Sequence, residues 1–214
     1  TTMKKIKCDC SKGLNQQCLE AVKIAAEDIT AGRLVVYPTE TVYGIGGDIF
    51  NQVAVKNVFL AKRRPFDMAL SVAVPDKKTM EEIAVLDENA EKLIKAFLPG
   101  PLTLIIPKQS KVPDMLTAMS QKVGIRIPDH PIALELTKRA GPIIATLANL
   151  HSKPDAINID MAVNDLGENV STYIDAGVSP TGKPSTIVWL MHGKVEIVRQ
   201  GLITIEQIEE VLRC

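Results

Sequence analysis

The chain has 214 residues, enough to bury a core without disulfides or a structural metal, and its 46% hydrophobic and 23% charged residues are those of a globular protein. Lys plus Arg and Asp plus Glu both number 25, which excludes nucleic-acid coating through a general excess of basic charge but leaves room for a local basic cleft. The N-terminus is polar and no apolar run approaches the roughly 20 residues of a membrane span.

The four cysteines are Cys8, Cys10, Cys18 and Cys214, and with no nearby His to complete a C-x-C zinc set they read as reduced thiols of a cytoplasmic protein. Gln16 to Ala31 is predicted helical, with Leu19, Val22, Ala26 and Ile29 at helical spacing and Gly32 as its stop. Arg33 to Tyr37 is a short apolar strand ended by Pro38. Asn51 caps a second helix that buries Val55, Val58 and Phe59 and must end near Arg64, because Pro65 follows. Ala69–Val74, Leu102–Ile106, Val123–Ile127 and Pro142–Leu147 read as strands. Asn89–Phe97, Pro131–Arg139 and Ile159–Leu166 read as helices, and Ser171–Asp175 as extended chain. Thr186–Leu190 and Val195–Val198 form a hairpin around His192-Gly193, and Thr204 with Gln207 gives a capping box for a last helix to Leu212. These intermixed elements predict an α/β fold. It is a single domain over residues 1–214, with one twisted mixed parallel and antiparallel sheet flanked by helices.

Open α/β sheets place their sites in loops after strands, and five segments there carry polar or backbone-special residues. Pro38-Thr39-Glu40-Thr41-Val42-Tyr43-Gly44 offers hydroxyls for a small polar ligand, or is an ordinary glycine-rich connection. Lys62-Arg63-Arg64-Pro65 ends a helix, where cations complement the dipole or bind phosphate. Arg126 lies between Ile125 and Ile127 in an apolar strand, so it must snorkel, pair or face a carboxylate. Thr146 and Asn149 end a further strand, either in a turn or against a ligand. The fifth segment is Gly182-Lys183-Pro184-Ser185-Thr186, with Arg199 across the hairpin. Gly177 to Lys183 fits the start of a Walker A loop, but Pro184 replaces its Ser or Thr and a strand follows where a helix should, so a P-loop is rejected. The three histidines show no ligand spacing; Mg²⁺ carried on a triphosphate needs none.

Together these segments resemble the YrdC family of threonylcarbamoyl-adenylate synthases. The resemblance rests on PTETVYG at Pro38–Gly44, K-x-R-P at Lys62–Pro65, PGPLT at Pro99–Thr103 and IRIPDHP at Ile125–Pro131. Ala148-Asn149, Ser185-Thr186 and the R-x-G of Arg199–Gly201 complete an ordered set over about residues 32–201. It implies an open cleft in which L-threonine, bicarbonate and ATP condense with release of pyrophosphate. A separate transferase complex would pass the product to a tRNA adenosine. By motif position, Thr39, Ser71, Arg126, Thr146 and Ser185 would meet threonine. Lys62, Arg64, Asn149 and Arg199 would meet ATP with its Mg²⁺, Lys62 and Arg64 as the catalytic cations. The chain departs from the family pattern at Leu147, where S-A-N is usual, at Ala69, where Pro is usual, and at Lys183-Pro184, where an acidic approach to Ser-Thr is usual. It ends soon after R-x-G, so no additional C-terminal domain is expected. The Leu147 departure favours a second reading, an RNA-binding protein of the same fold without synthase activity.

Overall fold

A computed structural model describes residues 2–214. Its elements follow the chain as β1 (Lys4–Lys7), α1 (Gln16–Thr30), β2 (Val35–Tyr37), β3 (Gly44–Gly46), α2 (Gln52–Lys62), β4 (Val72–Ala73), α3 (Lys77–Ile83) and α4 (Glu88–Phe97). Then come β5 (Leu102–Pro107), β6 (Lys122–Arg126), α5 (Pro131–Ala140), β7 (Ile143–Ile144), β8 (Thr146–Leu147), α6 (Ile159–Leu166), β9 (Thr172–Asp175), β10 (Thr186–Met191), β11 (Lys194–Arg199) and α7 (Ile205–Leu212).

The α/β class and the mixed pairing are as the sequence predicts, but the strands form two sheets. Five run in the order β1-β9-β2-β3-β8 and six in the order β11-β10-β5-β6-β4-β7, each mixing parallel and antiparallel neighbours. The joint lies where one strand is predicted, at Pro142–Leu147. Ile143–Ile144 pairs with β4 in the six-stranded sheet, and Thr146–Leu147 pairs with β3 in the five-stranded one. Ala145 crosses between them and donates its N–H to Ser71 O at 2.8 Å. The extended run at Ala69–Val74 likewise pairs only over Val72–Ala73.

Local chemistry accounts for the elements that close around this joint. Asn51 accepts the N–H groups of Val53 and Ala54, capping α2, which buries Val55, Val58 and Phe59. Arg63 ends the helix in the left-handed region (φ 52°), so the chain turns before Pro65. His192 and Gly193 both take positive φ, as a tight hairpin turn requires, and the Thr204–Gln207 capping box starts α7. β3 arises from the glycine-rich part of the PTETVYG segment. A side chain at Gly46 would come within 2.9 Å of the Tyr37 ring on β2, so glycine lets the two strands pair over it.

Two apolar clusters support the sheets. Along β2, Val35 and Tyr37 face a cluster under α1 and α5 that includes Val22, Ile29, Ile132 and Leu136. Val36, on the other face, joins the larger cluster with α2, α4 and α6. Asp28, buried on α1, accepts Arg33 Nε at 2.9 Å and the Thr172 hydroxyl of β9, tying helix to sheet.

Candidate active site

A polar cleft with a volume of about 300 Å³ lies at the joint between the sheets. All nine residues singled out from the sequence line it: Thr39, Lys62, Arg64, Ser71, Arg126, Thr146, Asn149, Ser185 and Arg199. They come from the loop after β2, the end of α2, the approach to β4, the end of β6, the β8 region, and the facing ends of β10 and β11. Five cations (Lys62, Arg64, Arg126, Lys153, Arg199) line the cleft against one carboxylate, Asp155. A molecule of zero formal net charge thus has a strongly cationic cleft, suited to an anionic ligand.

Lys62 sits deepest, with 1% of its surface exposed. Its Nζ donates to Leu147 O, to Asn149 O at 2.7 Å and to Asn149 Oδ1 at 2.8 Å. Burial, helped by the nearby Arg64 charge, pushes its pKa down to about 7, with Asp155 and Asp165 opposing. The Asn149 amide turns its nitrogen to Lys153 O at 2.8 Å and so anchors the following loop. Arg64 is held by Met68 O and Ala69 O at 3.1 and 2.7 Å, and burial lowers its pKa. At Ala69 the backbone carbonyl is thus what this site uses.

Arg126 is 7% exposed. Its NH1 donates to Glu40 Oε1 at 2.6 Å and to Gly100 O at 3.1 Å, and its NH2 to Thr41 Oγ1 at 3.2 Å. The hydroxyl directions in the adjoining loop then follow. Thr39 Oγ1 donates to Val42 O at 2.6 Å, so the Thr41 hydroxyl donates to Thr39 Oγ1 across 2.9 Å while accepting from Arg126. Thr39 Oγ1 also accepts Thr41 N–H at 3.1 Å. Its hydrogen and both lone pairs are therefore committed within the loop, and Thr39 orients Thr41 and shapes the wall.

Opposite this loop, Ser185 Oγ pairs with Thr103 Oγ1 at 2.7 Å and accepts from Arg199 NH2 at 3.3 Å, while Arg199 Nε donates to Ser185 O at 3.0 Å. Burial lowers the Arg199 pKa, and Asp155 counteracts this. The hydroxyls of Ser71 and Thr146 line the cleft and make no hydrogen bond among the described residues, so they are free for a ligand. Thr146 and Leu147 both reach the cleft wall although they are consecutive in β8. The rejected Walker-type segment runs through loop into β10, with no helix behind it.

Glu40, Thr41, Thr103 and Asp155 join this constellation without a role assigned from the sequence. The first three lie inside the quoted motifs, and Asp155 is signalled only by the loop that Asn149 anchors. His130, buried, caps α5 through Nδ1 on Ile132 N–H at 3.1 Å, and burial drives its pKa down to about 4, so it is neutral there.

Comparison with known proteins decides the family. The family model of Sua5, YciO and YrdC proteins, described as "Telomere recombination", matches residues 27–201. The chain belongs to the Sua5/YciO/YrdC family. It is 38% identical over 193 residues to the threonylcarbamoyl-AMP synthase of Pyrococcus abyssi, a match covering 89% of this chain and 57% of that protein. It is 35% identical over 189 residues to a putative threonylcarbamoyl-AMP synthase of Methanocaldococcus jannaschii, covering 88% and 89%. The chain thus spans little more than half of the first relative and nearly all of the second. A crystal structure of P. abyssi Sua5 complexed with L-threonine superposes with a TM-score of 0.91 at 34% identity, covering 99% of this chain and 61% of that one. The two-sheet architecture and its cleft are therefore those of a Sua5/YciO/YrdC protein.

Proposed function

We propose that the chain is a threonylcarbamoyl-AMP synthase, condensing L-threonine, bicarbonate and ATP. The observation that carries the reading is the convergence of Lys62, Arg64, Arg126 and Arg199 with the free Ser71 and Thr146 hydroxyls in one cleft. Relatives at 35–38% identity bear that name, and the P. abyssi Sua5 structure was obtained with L-threonine.

In the proposed chemistry, the threonine amine attacks the carbon of bicarbonate and water leaves, giving a carbamate. A carbamate oxygen then attacks the α-phosphorus of ATP, the bond to the bridging oxygen breaks, and pyrophosphate departs. No protein nucleophile is needed. The Arg126 fork takes the threonine carboxylate. Lys62, Arg64 and Arg199 stabilise the triphosphate and the charge gathering on the leaving pyrophosphate, and the Ser71, Thr146 and Ser185 hydroxyls orient the small substrate. Mg²⁺ enters with ATP, and Asp155 is the cleft carboxylate that would meet it. In this reading the product serves a separate transferase that modifies a tRNA adenosine, and the protein acts in the cytoplasm. Among the described residues no helix is long and apolar enough to cross a membrane.

The test is pyrophosphate release from ATP, Mg²⁺ and bicarbonate, with and without L-threonine. Threonine-dependent release is expected, with a loss on the order of 100-fold in Arg126→Ala and Lys62→Ala. Leu147 on the cleft wall favours the second reading. Folded protein that binds RNA in a salt-dependent manner, and releases no pyrophosphate, would establish that reading instead.

A further inference from the structure

Glu40 stands in the middle of the PTETVYG segment, yet it does not line the cleft. It grips three elements from behind the cleft wall. Oε1 accepts Arg126 NH1 at 2.6 Å, Oε2 accepts the Asp129 N–H at 2.6 Å, and its backbone oxygen accepts the Thr181 hydroxyl at 3.2 Å. The carboxylate is largely buried, so its pair with Arg126 is poorly screened by solvent.

The donor count on Arg126 gives this arrangement its meaning. A guanidinium carries five N–H donors in a rigid plane. Glu40 and Gly100 use both hydrogens of NH1, and Thr41 uses one of NH2. What remains is the Nε hydrogen and one on NH2, and Arg126 lines the cleft. Because the plane is rigid, fixing one end fixes the direction of the other. Glu40 also neutralises the guanidinium charge. Arg126 therefore discriminates ligands through the geometry of its free donors more than through bare positive charge.

We propose that Glu40 is a positioning residue. Held outside the cleft, it aims the free edge of Arg126 at the carboxylate of the amino-acid substrate, and so sets the preference for a carboxylate-bearing amino acid. The inference rests on the synthase reading for the identity of the substrate. Glu40 and a substrate carboxylate occupy different edges of one guanidinium, so they act together and do not compete.

The experiment measures Kd for L-threonine by calorimetry, and KM for L-threonine, for its amide L-threoninamide and for ATP by pyrophosphate release. The wild-type chain is compared with Glu40→Gln and Glu40→Asp. Gln keeps an acceptor for Arg126 but cannot also accept the Asp129 N–H, and Asp keeps the charge but withdraws it by one methylene. Both variants are expected to raise the threonine Kd roughly tenfold, leave the ATP KM within about twofold, and bring the threonine-to-threoninamide preference down towards one. Simple loosening of the fold would weaken both amino-acid ligands alike and leave that preference intact, and this result overturns the proposal. Tighter threonine binding in the variants also overturns it, by showing Glu40 to be a competitor for Arg126. If the wild-type chain binds L-threonine and the variants bind it equally, only the role of Glu40 fails. If the wild-type chain binds no L-threonine, the synthase reading fails and this inference falls with it.

Discussion

Lys62 combines deep burial with an ammonium whose pKa is pushed down to about 7, and this makes a proton-linked prediction. Loss of that proton would cost Nζ one of its three donated hydrogen bonds, which works against the depression. A triphosphate beside it favours the charged form and raises the pKa again, so ATP binding at pH 8 draws protons in. Calorimetry in buffers of different ionisation enthalpy should report uptake of a fraction of a proton per ATP. The uptake should vanish in Lys62→Arg, whose guanidinium stays charged throughout. The same depression has a sign for stability. Between about pH 7 and 10.5 the unfolded chain holds more protons at this position than the folded one, so its contribution to stability rises with pH across that window. Lys62 at a helix end, Arg126 inside an apolar strand and Ser185 before the hairpin each stood out by side-chain type, and the resemblance to the YrdC family joined them into one site. The Glu40–Arg126 pair and the Thr39–Thr41 relay were not readable, because a sequence does not say which hydrogen of a hydroxyl or guanidinium is already committed.

Among the elements, the open end of the β10–β11 hairpin shows what the R-x-G motif does. A side chain at Gly201 would come within 2.4 Å of Pro184 O and 2.8 Å of Thr186 N, both backbone atoms that cannot swing aside. Gly201 N–H also donates to Thr186 Oγ1 at 2.8 Å, and Thr186 donates onward to Ile203 O at 2.7 Å. Gly201→Ala is therefore expected to lower stability by about 1–3 kcal/mol, the usual scale for overpacking, read from urea unfolding. It should also move Ser185 and Arg199 relative to Thr103 and raise the KM values for threonine and ATP. A variant with wild-type stability and kinetics would show that the close approach is relaxed at no cost. The helices α1, α2, α5 and α7 were legible from caps and apolar spacing, and the hairpin from its turn. Three elements were not. β1 is a mostly exposed KKIK run that pairs only with β9, so it has no apolar alternation to display. β3 is built on glycines, and α3 is a seven-residue, mostly polar helix, too short for a periodic stripe.

For the whole molecule, the split into two sheets governs how ligand binding reaches stability. Thr39, Thr146 and Asn149 belong to the five-stranded side of the cleft, while Arg126, Ser185 and Arg199 belong to the six-stranded side. The sequence showed one continuous strand at Pro142–Leu147 because apolar runs carry no mark of a change of sheet; only Ala145, between the two pairings, makes the crossing. The larger apolar cluster includes Val36 and Ile45 of one sheet and Leu104, Ile125 and Ile144 of the other, so the sheets share a core. A ligand that touches both sides therefore stabilises one cooperative unit. At a ligand concentration of 100 times Kd the gain is about 2.7 kcal/mol, which for a chain of this size raises Tm by roughly 5 to 10 °C. Thermal unfolding with ATP and L-threonine is expected to show a single transition that shifts as a whole. Two transitions, of which only one moves, would mean that the sheets unfold separately and that the ligand is held by one of them. The shift should also shrink as salt is raised, because the cleft lining carries more cations than carboxylates even with Arg126 paired to Glu40 behind the wall.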